Sequence, residues 1–220
     1  MTNGGLSRRR FLTTTGGALA LGGLVAPGRA RAEEKASAAP DTTFKIGPIP
    51  GHAPQVGTLV SMLNYNRYTV LNAVKGLSMK ELDHLHDPAA NTIGALLLHL
   101  AAIDRYYQVN TFEGQEELSA GDKKIWGPAM ELGDEGRSAI KGHELAYYVT
   151  KLTEVRATTL RELKKRDDRW LAIVDAKWSK PDKPLNNHWK WFHVCEHEAN
   201  HRGQIAWLKG RLPGAKAGKD

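Results

Sequence analysis

TIGALLLHLAAIDRYYQVNTF, residues 92–112, contains the most apolar predicted helix of the sequence. Its middle, IGALLLHLAAI, is apolar at almost every position, so a helix formed by it shows apolar surface all round its axis. Such a helix has to be enclosed by other elements, because it has no polar face to turn towards water. Asn91 or Thr92 can cap its first turn through a side-chain oxygen. The stretch therefore predicts a central helix with neighbours on several sides.

Three further stretches have apolar residues at helical spacing and can supply those neighbours. They cover about residues 55–74, 143–170 and 187–212,. The segment 113–140 has irregularly spaced glycines and no sustained period, which predicts a long loop with at most a short helical turn,. No long strand-like alternation occurs. Four helices around one core predict an all-α fold, an antiparallel four-helix bundle over residues 51–213.

One polar residue interrupts the central helix. His99 lies in GALLLHLAAI, where a buried imidazole without a partner would cost on the order of a few kcal/mol,. The last predicted helix carries His197 and His201, which are four residues apart and therefore share one helical face,. If the two helices face each other, the imidazoles form a three-histidine site with open positions, as is typical of a reactive metal. The alternative for His99 is a core histidine bonded to a carbonyl group.

The stretch CEHEANHRGQI, residues 195–205, also contains the H-E-x-x-H pattern of zinc proteases,. In that pattern Glu198 would act as the general base between two histidine ligands. The extended form of the pattern would need glycine and histidine where this chain has Gln204 and Trp207, so the usual third ligand is missing,. No strand is predicted that could align a substrate peptide. The zinc protease is therefore the less favoured interpretation.

Two strings of the sequence resemble the DinB/YfiT-like superfamily of metalloenzymes. They are LSMKELDHLHDPAANTIGALLLHLAAIDRYY, with the mid-helix histidine, and HVCEHEANHRGQI, with an H-x-x-x-H-R-G-Q motif. The resemblance extends over residues 51–212. It implies a four-helix bundle whose metal is held by one histidine of the second helix and two of the fourth, which match His99, His197 and His201. Members with known activity include transferases and isomerases that use low-molecular-weight thiols.

Five more polar residues are candidates for roles around such a site. Glu198 and His193 are the nearest candidates for carrying protons, with a salt bridge as the alternative for Glu198 and an outer position for His193. Gln204 can hydrogen-bond within the site or tie its helix to a loop. Asn64 and Arg67 interrupt the apolar face of the first helix. They can line a substrate pocket, in which Arg67 would bind an anionic group.

Residues 1–32 predict an export signal of the twin-arginine type. SRRRFL at residues 7–12 precedes a weakly apolar, glycine-rich run and an A-x-A cleavage site,. This route implies a periplasmic or other extracytoplasmic location, and the mature chain has no predicted membrane span. Residues 33–50 are predicted as a flexible linker and residues 214–220 as a disordered tail.

The formal net charge of +7 depends on that signal, because five arginines (8, 9, 10, 29 and 31) lie within it. Without them the mature chain carries about +2, and no motif interleaves basic and aromatic residues, so nucleic-acid binding is not predicted. The single cysteine, Cys195, excludes an internal disulfide,.

These features together predict an exported protein that binds one divalent transition metal, with zinc or nickel placed before iron or manganese. As an enzyme it would be a metal-dependent hydrolase or thiol S-transferase acting on a small molecule. The alternative is a non-catalytic metal-binding or stress-response protein of the cell envelope. A homodimer is one option for its assembly.

Overall fold

Eight helices follow one another in the computed structural model, which describes residues 42–216. In chain order they are α1 (Pro54–Val74), α2 (Met79–Leu82), α3 (Ile93–Thr111), α4 (Ala120–Glu131), α5 (Gly133–Ala139), α6 (Leu145–Leu163), α7 (Asp168–Ala172) and α8 (Asn187–Lys209). Within residues 42–216 no strand forms, and two isolated bridges join residues 174 to 186 and 180 to 183. The predicted all-α class is confirmed.

The four long helices, α1, α3, α6 and α8, form the bundle. Helix α3 packs against both α6 and α8, α8 also packs along α1, and a lesser contact between α1 and α6 closes the ring. Every residue from Ile93 to Ala102 is buried, so α3 is the enclosed central helix that its composition predicts. Thr92 caps it, since its hydroxyl accepts a hydrogen bond from the N–H of Ala95,.

The segment 113–140 corrects the sequence prediction, because it contains helices α4 and α5 rather than a long loop. Helix α4 lies against α3 and buries Trp126 and Ala129 in the shared core. Arg105 of α3 holds it in place through an ion pair with Asp122 at 2.9 Å. Two apolar residues three positions apart make too short a pattern to be recognised among the surrounding glycines.

Helix α6 is shorter than predicted, because it ends at Leu163 instead of continuing to residue 170. The run KKRDD that follows has no apolar residue to bury. Asp167 then starts α7 by accepting a hydrogen bond from the N–H of Trp170,. The other three long helices begin and end within three residues of their predicted bounds.

The residues that precede α1 lie against its surface. The ring of Phe44 meets the rings of Tyr65 and Tyr68 edge-on, with centroid distances of 6.2 and 5.6 Å. The N–H of Gly47 donates to the hydroxyl of Ser61 at 3.1 Å. The backbone of this segment therefore comes close to the backbone of the helix.

We expect Gly57→Ala to lower the free energy of unfolding by about 1–3 kcal/mol, the usual cost of overpacking. A Cβ at Gly57 would lie 2.7 Å from the backbone nitrogen of Ile49, and a backbone atom cannot rotate away as a side chain can. The measurement is urea unfolding beside Gly203→Ala, a control in α8 where the added methyl meets nothing within 4 Å. Equal stability of the two variants would contradict the close packing.

None of the helices in residues 42–216 is long and apolar enough to cross a membrane. The predicted twin-arginine signal at residues 1–32 lies outside the described residues. The same holds for residues 33–41 of the predicted linker and residues 217–220 of the predicted tail, so these boundaries stay predictions.

Candidate metal centre

Three histidines from two helices meet inside the bundle. His99 comes from α3, while His197 and His201 lie one turn apart on α8, which packs against α3,. One ring nitrogen of each residue lies within 4.8 Å of the other two. The Nε2 atom of His197 is 3.3 Å from Nε2 of His99 and 3.2 Å from Nε2 of His201. The packing of α3 on α8 thus places three imidazole nitrogens around one point.

In His99 and His201 the opposite ring nitrogen is held by a carbonyl group. Nδ1 of His99 donates to the backbone carbonyl of Ala129 in α4 at 2.7 Å. Nδ1 of His201 donates to the side-chain oxygen of Gln204 at 2.8 Å. A carbonyl oxygen only accepts hydrogen bonds, so in both rings the proton lies on Nδ1 and Nε2 presents a lone pair. This is the arrangement that outer hydrogen bonds impose on histidines that ligate metals.

Burial keeps all three rings neutral at ordinary pH. It lowers the pKa of His99 to about 4 and that of His197 to about 3, and it also lowers the pKa of His201. Repulsion between His197 and its neighbouring imidazoles, which acts when the rings carry protons, lowers the pKa of His197 further,. Neutral imidazoles whose lone pairs point at one another need a cation between them or protons shared among them. Their spacing and protonation fit a divalent transition metal, and the group could hold one,.

Glu198 does not belong to this group of donors, and its carboxylate forms the salt bridge that is the alternative to a catalytic role. Its Oε1 atom accepts from Arg67 Nε at 2.9 Å and from Arg156 Nη2 at 3.0 Å. Arg156 also donates through Nε to Asp104 at 2.8 Å. All four side chains are buried, and we call them the ion-pair cluster. A step of one residue turns Glu198 about 100° away from His197, towards α1 and α6, so the H-E-x-x-H pattern loses its general base.

Arg67, which is predicted to bind an anionic group of a substrate, is a member of the same ion-pair cluster. Its guanidinium is buried and is engaged by Glu198 and by the carbonyl oxygen of Leu152. Sequence reasoning missed the other two members of the ion-pair cluster, Asp104 and Arg156. The signal that could have found them is a charged residue inside an otherwise apolar helical face, as in LAAIDRYY and EVRATTL,.

The remaining predicted residues lie at different distances from the three histidines. His193 is beside them: its ring centroid is 5.6 Å from that of His197, and its Nδ1 pairs with Glu196 at 2.7 Å. Gln204 bonds directly to His201. Asn64 is exposed on α1 and makes no described contact with the group.

A groove adjoins the histidines on the side of Gln204. Its volume is about 460 Å³, and its lining contains amide and apolar side chains without a charged group. The lining residues are Asn91, Leu96, Asn200, Gly203, Gln204, Trp207 and Leu208. Because Gln204 both lines the groove and fixes the ring of His201, a molecule bound there would lie next to the candidate metal site.

Two solved structures share the fold at low sequence identity. A conserved protein from Enterococcus faecalis is 16% identical, with a TM-score of 0.54, and the alignment covers 69% of this chain and 93% of that protein. A protein from Streptococcus pneumoniae is 14% identical, with a TM-score of 0.56 and coverage of 72% and 92%. At this identity the likeness shows the fold alone. Among curated proteins, none matches the sequence.

The family comparison is more specific. The family described as Mycothiol-S-transferase matches residues 58–214, a range that contains all four bundle helices except the first residues of α1, and all three clustered histidines. The matched range exceeds two thirds of the chain and agrees with the DinB/YfiT-like resemblance of the sequence. The chain therefore belongs to the mycothiol-S-transferase family, one of the DinB/YfiT-like families of helical proteins.

Proposed function

We propose that the chain is a metal-dependent transferase or hydrolase whose ion is held by His99, His197 and His201. The observation that carries this proposal is the convergence of three Nε2 atoms, two of them in rings whose Nδ1 protons are committed to carbonyl groups. Zinc or nickel is the first choice, because both accept three imidazoles and leave positions for other ligands, and iron or manganese is the alternative.

The family name favours transfer to or from a thiol over hydrolysis. A bound divalent ion would supply Lewis-acid chemistry, which lowers the pKa of a thiol or of water. The thiol has to come with the substrate, because Cys195 is buried and burial raises the pKa of its thiol to about 12,. The uncharged groove favours a small substrate whose adjoining part is neutral and offers hydrogen-bonding groups to the amides,.

Protons have to move near the three histidines in either reaction, and His193 is the side chain placed to carry them. It is half-buried, its ring lies beside that of His197, and Glu196 accepts its Nδ1 proton. The pairing with Glu196 leaves Nε2 of His193 free to accept a proton. Both arginines of the ion-pair cluster hold the carboxylate of Glu198, which favours His193 over Glu198 as the proton carrier.

The deciding experiment is elemental analysis of the protein purified without added metal, beside His99→Ala and His193→Ala variants. We expect about one equivalent of a transition metal in the parent and in His193→Ala, and less than about a tenth of that in His99→Ala, because two imidazoles of one helix make a poor site. Circular dichroism establishes that each variant is folded.

The other outcomes decide between alternatives. A folded His99→Ala protein that keeps its metal would make His99 a core histidine bonded to a carbonyl, and the proposed three-histidine site would be wrong. A parent protein that neither contains metal nor takes it up from solution would contradict metal-dependent catalysis. Loss of metal in both variants would mean that His193 is itself a ligand.

A further inference from the structure

The backbone between α4 and α5 is broken in an unusual way. Leu132 has φ 55° and ψ −140°, a backbone conformation that residues other than glycine rarely adopt,. In an unbroken helix the N–H of Gly133 would donate to the carbonyl of Ala129, four residues earlier. Here the N–H of Gly133 donates instead to the side-chain oxygen of Asn91 at 3.3 Å. The carbonyl of Ala129 is left for another donor, and that donor is Nδ1 of His99 at 2.7 Å.

We propose that this break, with Asn91 as its anchor, is the device that orients His99 for metal binding. The side-chain oxygen of Asn91 accepts the hydrogen bond from the N–H of Gly133, so the carbonyl of Ala129 remains available to the imidazole of His99. The hydrogen bond then places the proton of His99 on Nδ1 and exposes the lone pair of Nε2 to the other two histidines. Asn91 is thus a positioning residue that acts through two backbone groups.

The break and the central helix are tied together at a second point. The guanidinium of Arg137, in α5, donates to the carbonyl of Ala90 at 3.1 Å. Ala90 and Asn91 lie just before Thr92, the capping residue of α3, and α3 carries His99 about two turns later. Both hydrogen bonds join α5 to the residues just before α3. They therefore fix the position of the break relative to the helix that carries His99.

The backbone of Leu132 supports a functional interpretation of the break. A leucine at positive φ is strained, and the strain persists only where surrounding contacts hold it. Its side chain packs against the core. The N–H of Leu132 donates to the carbonyl of Pro128, and the N–H of the next residue donates to the side chain of Asn91. A regular helix through this point would remove the strain, but it would also close the Ala129 carbonyl off from His99.

The inference rests on the proposed metal site, but one of its tests does not need metal. We would prepare Asn91→Ala, Asn91→Asp, which keeps an acceptor oxygen, and Asn200→Ala, which removes another amide of the same groove. Nitrogen-15 NMR of the metal-free proteins reports which ring nitrogen of His99 carries the proton. Competition with a chromophoric zinc chelator reports the dissociation constant of the site.

We expect Asn91→Ala to weaken zinc binding about tenfold or more, as the loss of other outer contacts does, and to give a mixture of protonation at Nδ1 and Nε2 of His99. Asn91→Asp should restore the Nδ1 form and most of the affinity, and Asn200→Ala should match the parent in both measurements. A folded Asn91→Ala protein with parental affinity and the Nδ1 form would overturn the inference. If the parent takes up neither zinc nor any other transition metal, the proposed function fails, while the NMR comparison still decides the role of Asn91.

Discussion

Replacing Glu198 with glutamine should lower the free energy of unfolding by about 3–5 kcal/mol, the cost of leaving a buried charge without its partner. Glu198 is 1% exposed, and its carboxylate faces the guanidinium groups of Arg67 and Arg156. A neutral amide leaves two buried cations opposite one remaining carboxylate, that of Asp104. Urea unfolding of the metal-free protein measures the loss without any contribution from ion binding.

The matched control is Glu196→Gln, a change of the same kind two residues earlier on α8. The carboxylate of Glu196 is about half exposed and pairs with His193, so its removal should alter the free energy of unfolding by less than about 0.5 kcal/mol,. If the two variants were equally stable, the ion-pair cluster would be dispensable. In that case Glu198 would again have to be considered as a residue that serves the histidines.

The same side chain illustrates what the sequence could predict about the site. Its position next to His197 on a helix shows that it points about 100° away from that ligand. Which groups it meets there depends on α1 and α6, whose residues Arg67 and Arg156 are 131 and 42 positions away in sequence. Periodicity within one helix carries no information about such partners, so the sequence alone leaves the salt bridge as one of two alternatives.

The histidines were predictable because each carries a local signal. An imidazole in the middle of an apolar helix requires a partner, and two imidazoles four residues apart share a face. The carbonyl of Ala129 had no such signal, since every residue has a backbone carbonyl and what matters is that this one is free of its helical partner. The sequence predicts a loop where α4, the helix that supplies this carbonyl, is found, because the burial of α4 depends on contact with α3 and on the ion pair between Arg105 and Asp122.

Acidification provides the second large effect: between pH 7 and pH 5 the metal-free protein should lose about 2 kcal/mol of its free energy of unfolding through His99 alone. Burial lowers the pKa of His99 from its ordinary 6.5 to about 4. Above pH 6.5 the ring is neutral in both states, so the stability does not change. Below pH 6.5 the unfolded chain takes up a proton that the folded protein refuses, and the loss continues until the folded ring protonates near pH 4.

His197 adds to this loss, because burial and the neighbouring rings lower its pKa to about 3. Its contribution is smaller than that pKa alone would give, since the ring is partly open to solvent, which screens the charges,. The measurement is urea unfolding at a series of pH values in the presence of a chelator. His99→Leu should reduce the loss of stability at pH 5 by about 2 kcal/mol.

A pH-independent difference between the parent and His99→Leu would show that His99 titrates alike in both states and would contradict its burial as a neutral base. The expected slope also bears on the proposed function. The nitrogens that take up protons in acid are the ones that would hold the ion, and a protonated imidazole cannot be a ligand. Release of metal should therefore begin only as the pH falls towards about 4, where the rings of the folded protein take up protons, and metal content measured after dialysis at each pH tests that expectation,.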